Sequence, residues 1–135
     1  MTAQPVTICT EFGIASHVLD AALLTNHTGL RPSRLFIKGT NPRLAGHSLD
    51  RTLWAVNVEV SSVDTSDSVR AMLDLLKPKR DVIINYIKTI ECETWFESTV
   101  YTTLDNRILY ELDAPSMREI IEYNATWSLD IIYPV

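Results

Sequence analysis

The residues best placed to do chemistry lie in the run ECETWFESTVY, residues 91–101. In a strand, successive side chains leave on opposite faces, so Glu91, Glu93, Trp95, Glu97 and Tyr101 share one face. Cys92, Thr94, Phe96, Ser98 and Val100 share the other, which reads as the core side. Two rings among carboxylates suit docking more than reaction. Large aromatics supply area to bury against a partner, and carboxylates steer a basic one. These five outer residues are the candidate partner-binding set.

A second set lies in HTGLRPSRLFIKGT, residues 27–40, and just beyond it. Arg31 and Arg34 flank Pro32-Ser33, and Lys38 and Arg43 lie either side of Gly39. If residues 34–38 form a strand, Arg34, Phe36 and Lys38 share a face. Two cations across a pleat could then grip a phosphate or carboxylate, a task that suits arginine's planar fork. Cations on a strand also discourage edge pairing. Arg31, Arg34, Lys38 and Arg43 are the alternative, anion-binding set.

Reaction chemistry finds no foothold. His17, His27 and His47 do not pair with a cysteine or with one another at ligand spacing, so no metal is expected. Cys9 and Cys92 lie far apart in apolar surroundings and read as reduced core thiols. There is no G-x-S-x-G and no phosphate-binding glycine loop. Ser16 and His17 are neighbours, but adjacency does not build a triad. Glu111 and Asp113 flank a helix start, where the helix dipole favours acids. A non-catalytic protein with no cofactor is expected.

Charge points the same way. Residues 1–51 carry five cations against three anions, and residues 52–135 carry seven against fourteen. An acidic second half repels nucleic acid and attracts basic partners. The opening MTAQPVTIC has neither the basic nor the long apolar region of a signal peptide, and no apolar run approaches the roughly 20 residues of a membrane helix. A cytoplasmic protein is expected, with a protein partner, no membrane and no nucleic acid. At 135 residues the chain reads as one domain, residues 1–135, large enough to need no metal or disulfide staple.

The elements that must position these residues follow from periodicity. Residues 5–12 read as a strand with Val6, Ile8 and Phe12 on one face and Thr7, Cys9 and Glu11 on the other. Ser16 can cap a helix whose buried stripe is Val18, Leu19, Ala22 and Leu23. Gly29 stops it in the left-handed conformation, and Pro32 prevents its resumption. Strands follow at 34–38 and 52–60, the latter with Trp54, Val56, Val58 and Val60 together. Val69, Met72, Leu73 and Leu76 mark a helix ended by Pro78. Residues 81–90 read as another, capped by Asp81, with Ile83, Ile87 and Ile90 at helical spacing, although their β-branched content also suits a strand. Strands at 92–103 and 107–112 would form a hairpin about Asp105-Asn106. Ser116 and Glu119 form a capping box, with Met117, Ile120 and Ile121 as the helix's apolar side. Residues 127–133 close the chain as a strand with Trp127, Leu129, Ile131 and Tyr133 on one face. The expected class is α+β: one mixed, mostly antiparallel sheet of about six strands, with helices mainly on one face.

Several of these segments carry a family resemblance. LLTNHTGLRPSRLFIKGT, the later WAVNVEV, the helix SVRAMLDLLKP and the ending LDIIY together resemble the bacterial family known as domain of unknown function 4279. Gly29, Leu30, Pro32, Ser33, Lys38 and Gly39 occupy the places of its helix stop and lysine–glycine turn. Trp54 stands for its tryptophan, and Asp130, Ile131, Ile132 and Tyr133 for its closing strand. The resemblance spans nearly the whole chain and implies no activity. Small bacterial domains of this kind occur as immunity proteins beside toxins, an analogy of circumstance rather than of site. The expected function is therefore an immunity protein that neutralises a basic toxin domain by direct binding. The alternative is a small-molecule or anion-binding module built on residues 31–43.

Overall fold

The computed structural model describes residues 6–40 and 50–133. Its centre is β1 (Thr7–Ser16), antiparallel to β3 (Thr52–Ser61) on one side and to β4 (Glu93–Tyr101) on the other. The short β2 (Arg34–Phe36) pairs antiparallel with β3, and β5 (Thr126–Ile132) pairs parallel with β4. The class is α+β, and the five-stranded sheet has the order β2-β3-β1-β4-β5.

The expected sixth strand does not form. Both sides of β4 are taken, by β1 and β5, so residues 107–112 cannot pair with β4 as a hairpin. They cross toward the first turn of α2 (Thr65–Leu76) and make a single parallel bridge between Leu109 and Asp64. Leu109 N–H donates to the Val63 carbonyl at 2.7 Å, and Thr65 N–H donates to the Leu109 carbonyl at 3.1 Å.

The helices pack on one face. α1 (Ala21–Thr28) and α3 (Arg80–Ile87) touch each other, and α1 also touches β3. α2 lies over β1, β3 and β4, and α4 (Ala114–Glu122) packs on α2 and β5. A 3-10 turn at Lys77–Lys79, with Pro78 inside it, joins α2 to α3. Sheet residues Phe12, Ile14, Trp54, Val56 and Phe96 meet helix residues Leu24, Val69, Met72, Leu76, Ile83 and Ile87 in one buried cluster. The rings of Phe12, Phe96 and Tyr123 form its centre, with centroids 5.0 to 5.6 Å apart.

Helix starts depart from expectation in a consistent way. β1 runs on to Ser16, so Ser16 is a strand end whose hydroxyl donates to the Glu91 carbonyl at 2.7 Å. Asp20 caps α1 instead, accepting Leu23 N–H. The later start rephases the helix: Ala21, Leu24 and Thr28 are buried, while Val18 and Leu23 are exposed. Gly29 closes it with φ 69°, as its sequence position predicts. α3 begins without a side-chain cap, and Asp81 pairs with Arg80. The expected capping box also gives way. Asp113 caps α4, accepting Ser116 N–H, and Arg70 of α2 takes both the Ser116 hydroxyl and the Glu119 carboxylate. Met117 and Ile121, expected on the buried side of α4, are exposed, and Ile120 alone of the three is buried. β4 starts at Glu93, leaving Glu91 in the loop before it.

One polar chain crosses the core. The Thr10 hydroxyl meets Ser68 of α2 at 2.6 Å and Ser98 of β4 at 2.8 Å, and Trp127 of β5 donates its indole N–H to Ser98 at 3.1 Å. A buried polar group without a partner costs more than the net worth of its bond. Ser98→Ala should therefore cost about 1–3 kcal/mol, because the Trp127 N–H loses its acceptor; chemical denaturation measures it, and a loss within error would remove this chain from the account of stability. Burial pushes the Tyr123 hydroxyl up to about 12, further assisted by Glu119, Glu122 and Asp81 against the opposing Arg80. A raised tyrosine keeps its proton in the folded state while the unfolded chain releases its own near 10, so stability falls as pH rises from about 10 to about 12. Tyr123→Phe should flatten that alkaline decline, as read from melting temperature against pH.

Candidate functional site

Because the helices lie on one face, β1 presents Thr7, Cys9, Glu11, Gly13 and Ala15 to the other. The pairing register assembles that second face in rows. Arg34, Ala55, Gly13, Trp95 and Thr126 form one row across all five strands. Asn57, Glu11, Glu97 and Ser128 form the next, and Glu59, Cys9, Thr99 and Asp130 the one after. Tyr101 stands at the far end beside Thr7 and Ile132.

Four of the five candidate docking residues are therefore brought together: Glu93, Trp95, Glu97 and Tyr101 share the helix-free face. Glu93, Glu97 and Tyr101 are exposed and Trp95 is half-buried. Glu91, just ahead of the strand, is exposed at the rim. From Trp95 to Tyr101 the column extends roughly 20 Å at the usual strand rise.

Trp95 is held by an absence. It stands opposite Gly13, and its indole lies over that glycine. A Cβ at Gly13 would fall 2.1 Å from Trp95 Cζ2. A glycine within a strand marks such a close approach. A cleft of about 340 Å³ opens beside the ring, lined also by Cys92, Glu93, Thr94, Asn124 and Thr126.

The electrostatics of the face are uneven. Glu11 and Glu97 are directly opposed across β1 and β4, an arrangement of like charges that costs stability. Arg34 answers Glu11 alone, with Nε to Oε1 at 2.9 Å. Arg51 pairs with Glu93 at 3.1 Å. Glu97 and Glu59 have no cationic partner among the described residues. Cys9 lies half-buried on this face and not in the core. Burial first, then Glu59 and Glu11, push its thiol up, away from the thiolate a nucleophile needs. Cys92 is also free and half-buried, and its thiol is raised by burial.

The anion-binding set is not assembled as expected. β2 ends at Phe36, so Lys38 is off the pleat, and its Nζ donates to the His17 carbonyl at 3.4 Å. Arg34 is committed to Glu11 and sits 5.8 Å over the Phe36 ring. Arg31 is exposed in the turn before the strand, and Arg43 lies outside the described residues. Of the histidines, His17 meets the Asp50 carbonyl at 2.8 Å, His27 is exposed, and His47 is outside the described residues. Among the described residues no three His, Cys, Asp or Glu side chains gather as a metal set. No described helix is long and apolar enough to cross a membrane.

Sequence reasoning missed Glu11, Gly13 and Glu59 as parts of this face. Glu11 was legible from the alternation of β1. Gly13 was hidden because that strand appeared to end at Phe12.

Fold and face together define a small α+β domain with one sheet face packed by helices and the other turned outward, acidic and aromatic. The chain belongs to the family described as Domain of unknown function (DUF4279), whose model matches residues 6–134. No curated protein and no solved structure matches it.

Gly13→Ala should cost about 1–3 kcal/mol through overpacking and turn the Trp95 indole outward. Denaturation measures the first and acrylamide quenching the second. Unchanged values for both would show that the ring does not rest on the glycine.

Proposed function

We propose that the helix-free face is a docking surface for a protein with a basic face, and that this chain acts as a non-catalytic binding protein. In its specific form the reading is an immunity protein that covers a basic toxin domain. The observation that carries it is Trp95, seated on an outward sheet face beside the opposed carboxylates Glu11 and Glu97. An acid pair that weakens the free protein becomes favourable once a cation of a partner enters between the two. The half-buried indole is pre-positioned, so little side-chain freedom is lost when it is covered. Burial and the neighbouring acids raise the Cys9 thiol, which disfavours a thiolate on this face.

The test uses the product of the gene immediately upstream as the partner, with binding followed by calorimetry and stopped flow. Trp95→Ala should cost about 2 kcal/mol or more of affinity. Association should slow as salt rises, because exposed charges are screened. Glu97→Gln should weaken binding while stabilising the free protein by a few tenths of a kcal/mol at low salt, roughly the value of one relieved like-charge pair. No binding, or binding indifferent to Trp95→Ala and to salt, overturns the reading.

A further inference from the structure

The edge of the sheet at β5 poses a separate question. β5 has one neighbour, β4, and its other side is unpaired among the described residues. Thr102 N–H donates to the Ile132 carbonyl, so Ile132 and its alternates turn their backbone toward β4. Trp127, Leu129 and Ile131 then turn theirs outward. Ile131 N–H accordingly finds no strand, and is held at 3.0 Å by the carboxylate of its own neighbour Asp130.

Exposed edges are usually guarded by lysine, proline, a bulge or shortness. The opposite edge, β2, is only three residues long. β5 carries only one charged guard, Asp130, whose carboxylate occupies a single outward N–H. It runs seven residues, TWSLDII, with unbroken register and no proline or lysine.

The sequence of this edge is complementary to itself. Two copies of β5 in antiparallel pairing must match residues whose backbones both point outward. The register that pairs the whole strand places Leu129 opposite Leu129 of the second copy and Trp127 opposite Ile131. On the outer face it places Ser128 opposite Asp130 and Thr126 opposite Ile132. Each carboxylate thus faces a hydroxyl, and no like charges meet. Slipping the register toward the C-terminal end would oppose the two Asp130 side chains, which is costly.

The helix side of the same edge adds apolar area. Leu112, Met117, Ile121, Ala125 and Trp127 line a groove of about 370 Å³, which the acid Glu111 also lines. Ile121 is 70% and Met117 47% exposed, although both belong to an otherwise apolar helix flank. A second copy paired antiparallel on β5 would bring its own α4 to the same side of the joined sheet.

We infer that β5 is the two-fold interface of a homodimer, in which the sheets of two copies join edge to edge and the exposed flank of α4 is covered. Pairing takes over the Ile131 N–H that the Asp130 side chain satisfies in the single copy. The two helix-free faces then form one continuous surface on a ten-stranded sheet, two copies of the five-stranded one.

Sedimentation equilibrium of the full chain, from micromolar to hundreds of micromolar, tests this. A species of twice 15.3 kDa is expected at the higher concentrations. Ser128→Asp sets like charges against Asp130 at both symmetric positions and should raise the dissociation constant about tenfold. Adding Asp130→Lys to Ser128→Asp should restore it, a rescue that a folding defect would not show. Ile121→Glu, at an exposed helix position, should also weaken the dimer, and Trp95→Ala should leave it unchanged. A monomer at every concentration overturns the inference. So does a dimer indifferent to Ser128→Asp and Ile121→Glu, or one abolished by Trp95→Ala.

Discussion

β1 is paired along its length on both sides, with β3 over Thr7 to Ser16 and with β4 over Thr7 to Ala15. That double pairing is the constraint on which the rest of the molecule depends. A slip of one residue would exchange its faces, putting Cys9 and Glu11 among the helices and Ile8 and Phe12 outside. The register is locked from the helix side by Phe12 against Phe96 and Tyr123, and by Thr10 between Ser68 and Ser98. Once β1 is locked, the composition of the outward face follows.

The two faces carry opposite physical characters. Inside, polar side chains are satisfied: among the described residues, no buried side-chain nitrogen or oxygen lacks a hydrogen bond. Outside, opposed carboxylates stand across one row and an indole lies over a glycine in the next. Burial drove the first arrangement. The second contains a local repulsion that folding alone gives no reason to keep, which is why the functional reading rests on it.

Much of the architecture was legible in single residues. Gly29 and Pro32 marked the end of α1 because few other residues reach or enforce those backbone angles. Val69, Met72, Leu73 and Leu76 marked the buried side of α2, and the alternation in β3 and β4 separated core from surface. Errors fell where two chemically equivalent signals competed. Ser16 and Asp20 are both good caps, and Ser116 and Asp113 likewise. Which one serves depends on where the strand ends and on whether Arg70 arrives from another helix. Residues 107–112 have strand-like composition, but a strand needs a free neighbour, and β4 had none to offer.

Local propensity and period-two alternation settled which side chains would share a face: Glu93, Trp95, Glu97 and Tyr101 are together because a strand alternates. What alternation cannot decide is which strand lies beside which, and whether a face is covered. Glu11 against Glu97, the bare Gly13 under Trp95, Arg34 turned to Glu11, and the side of β5 left unpaired among the described residues all arise between segments distant in the chain. Those contacts depend on strand order and helix placement, which are set by the burial of the whole apolar surface and not by any one stretch of it.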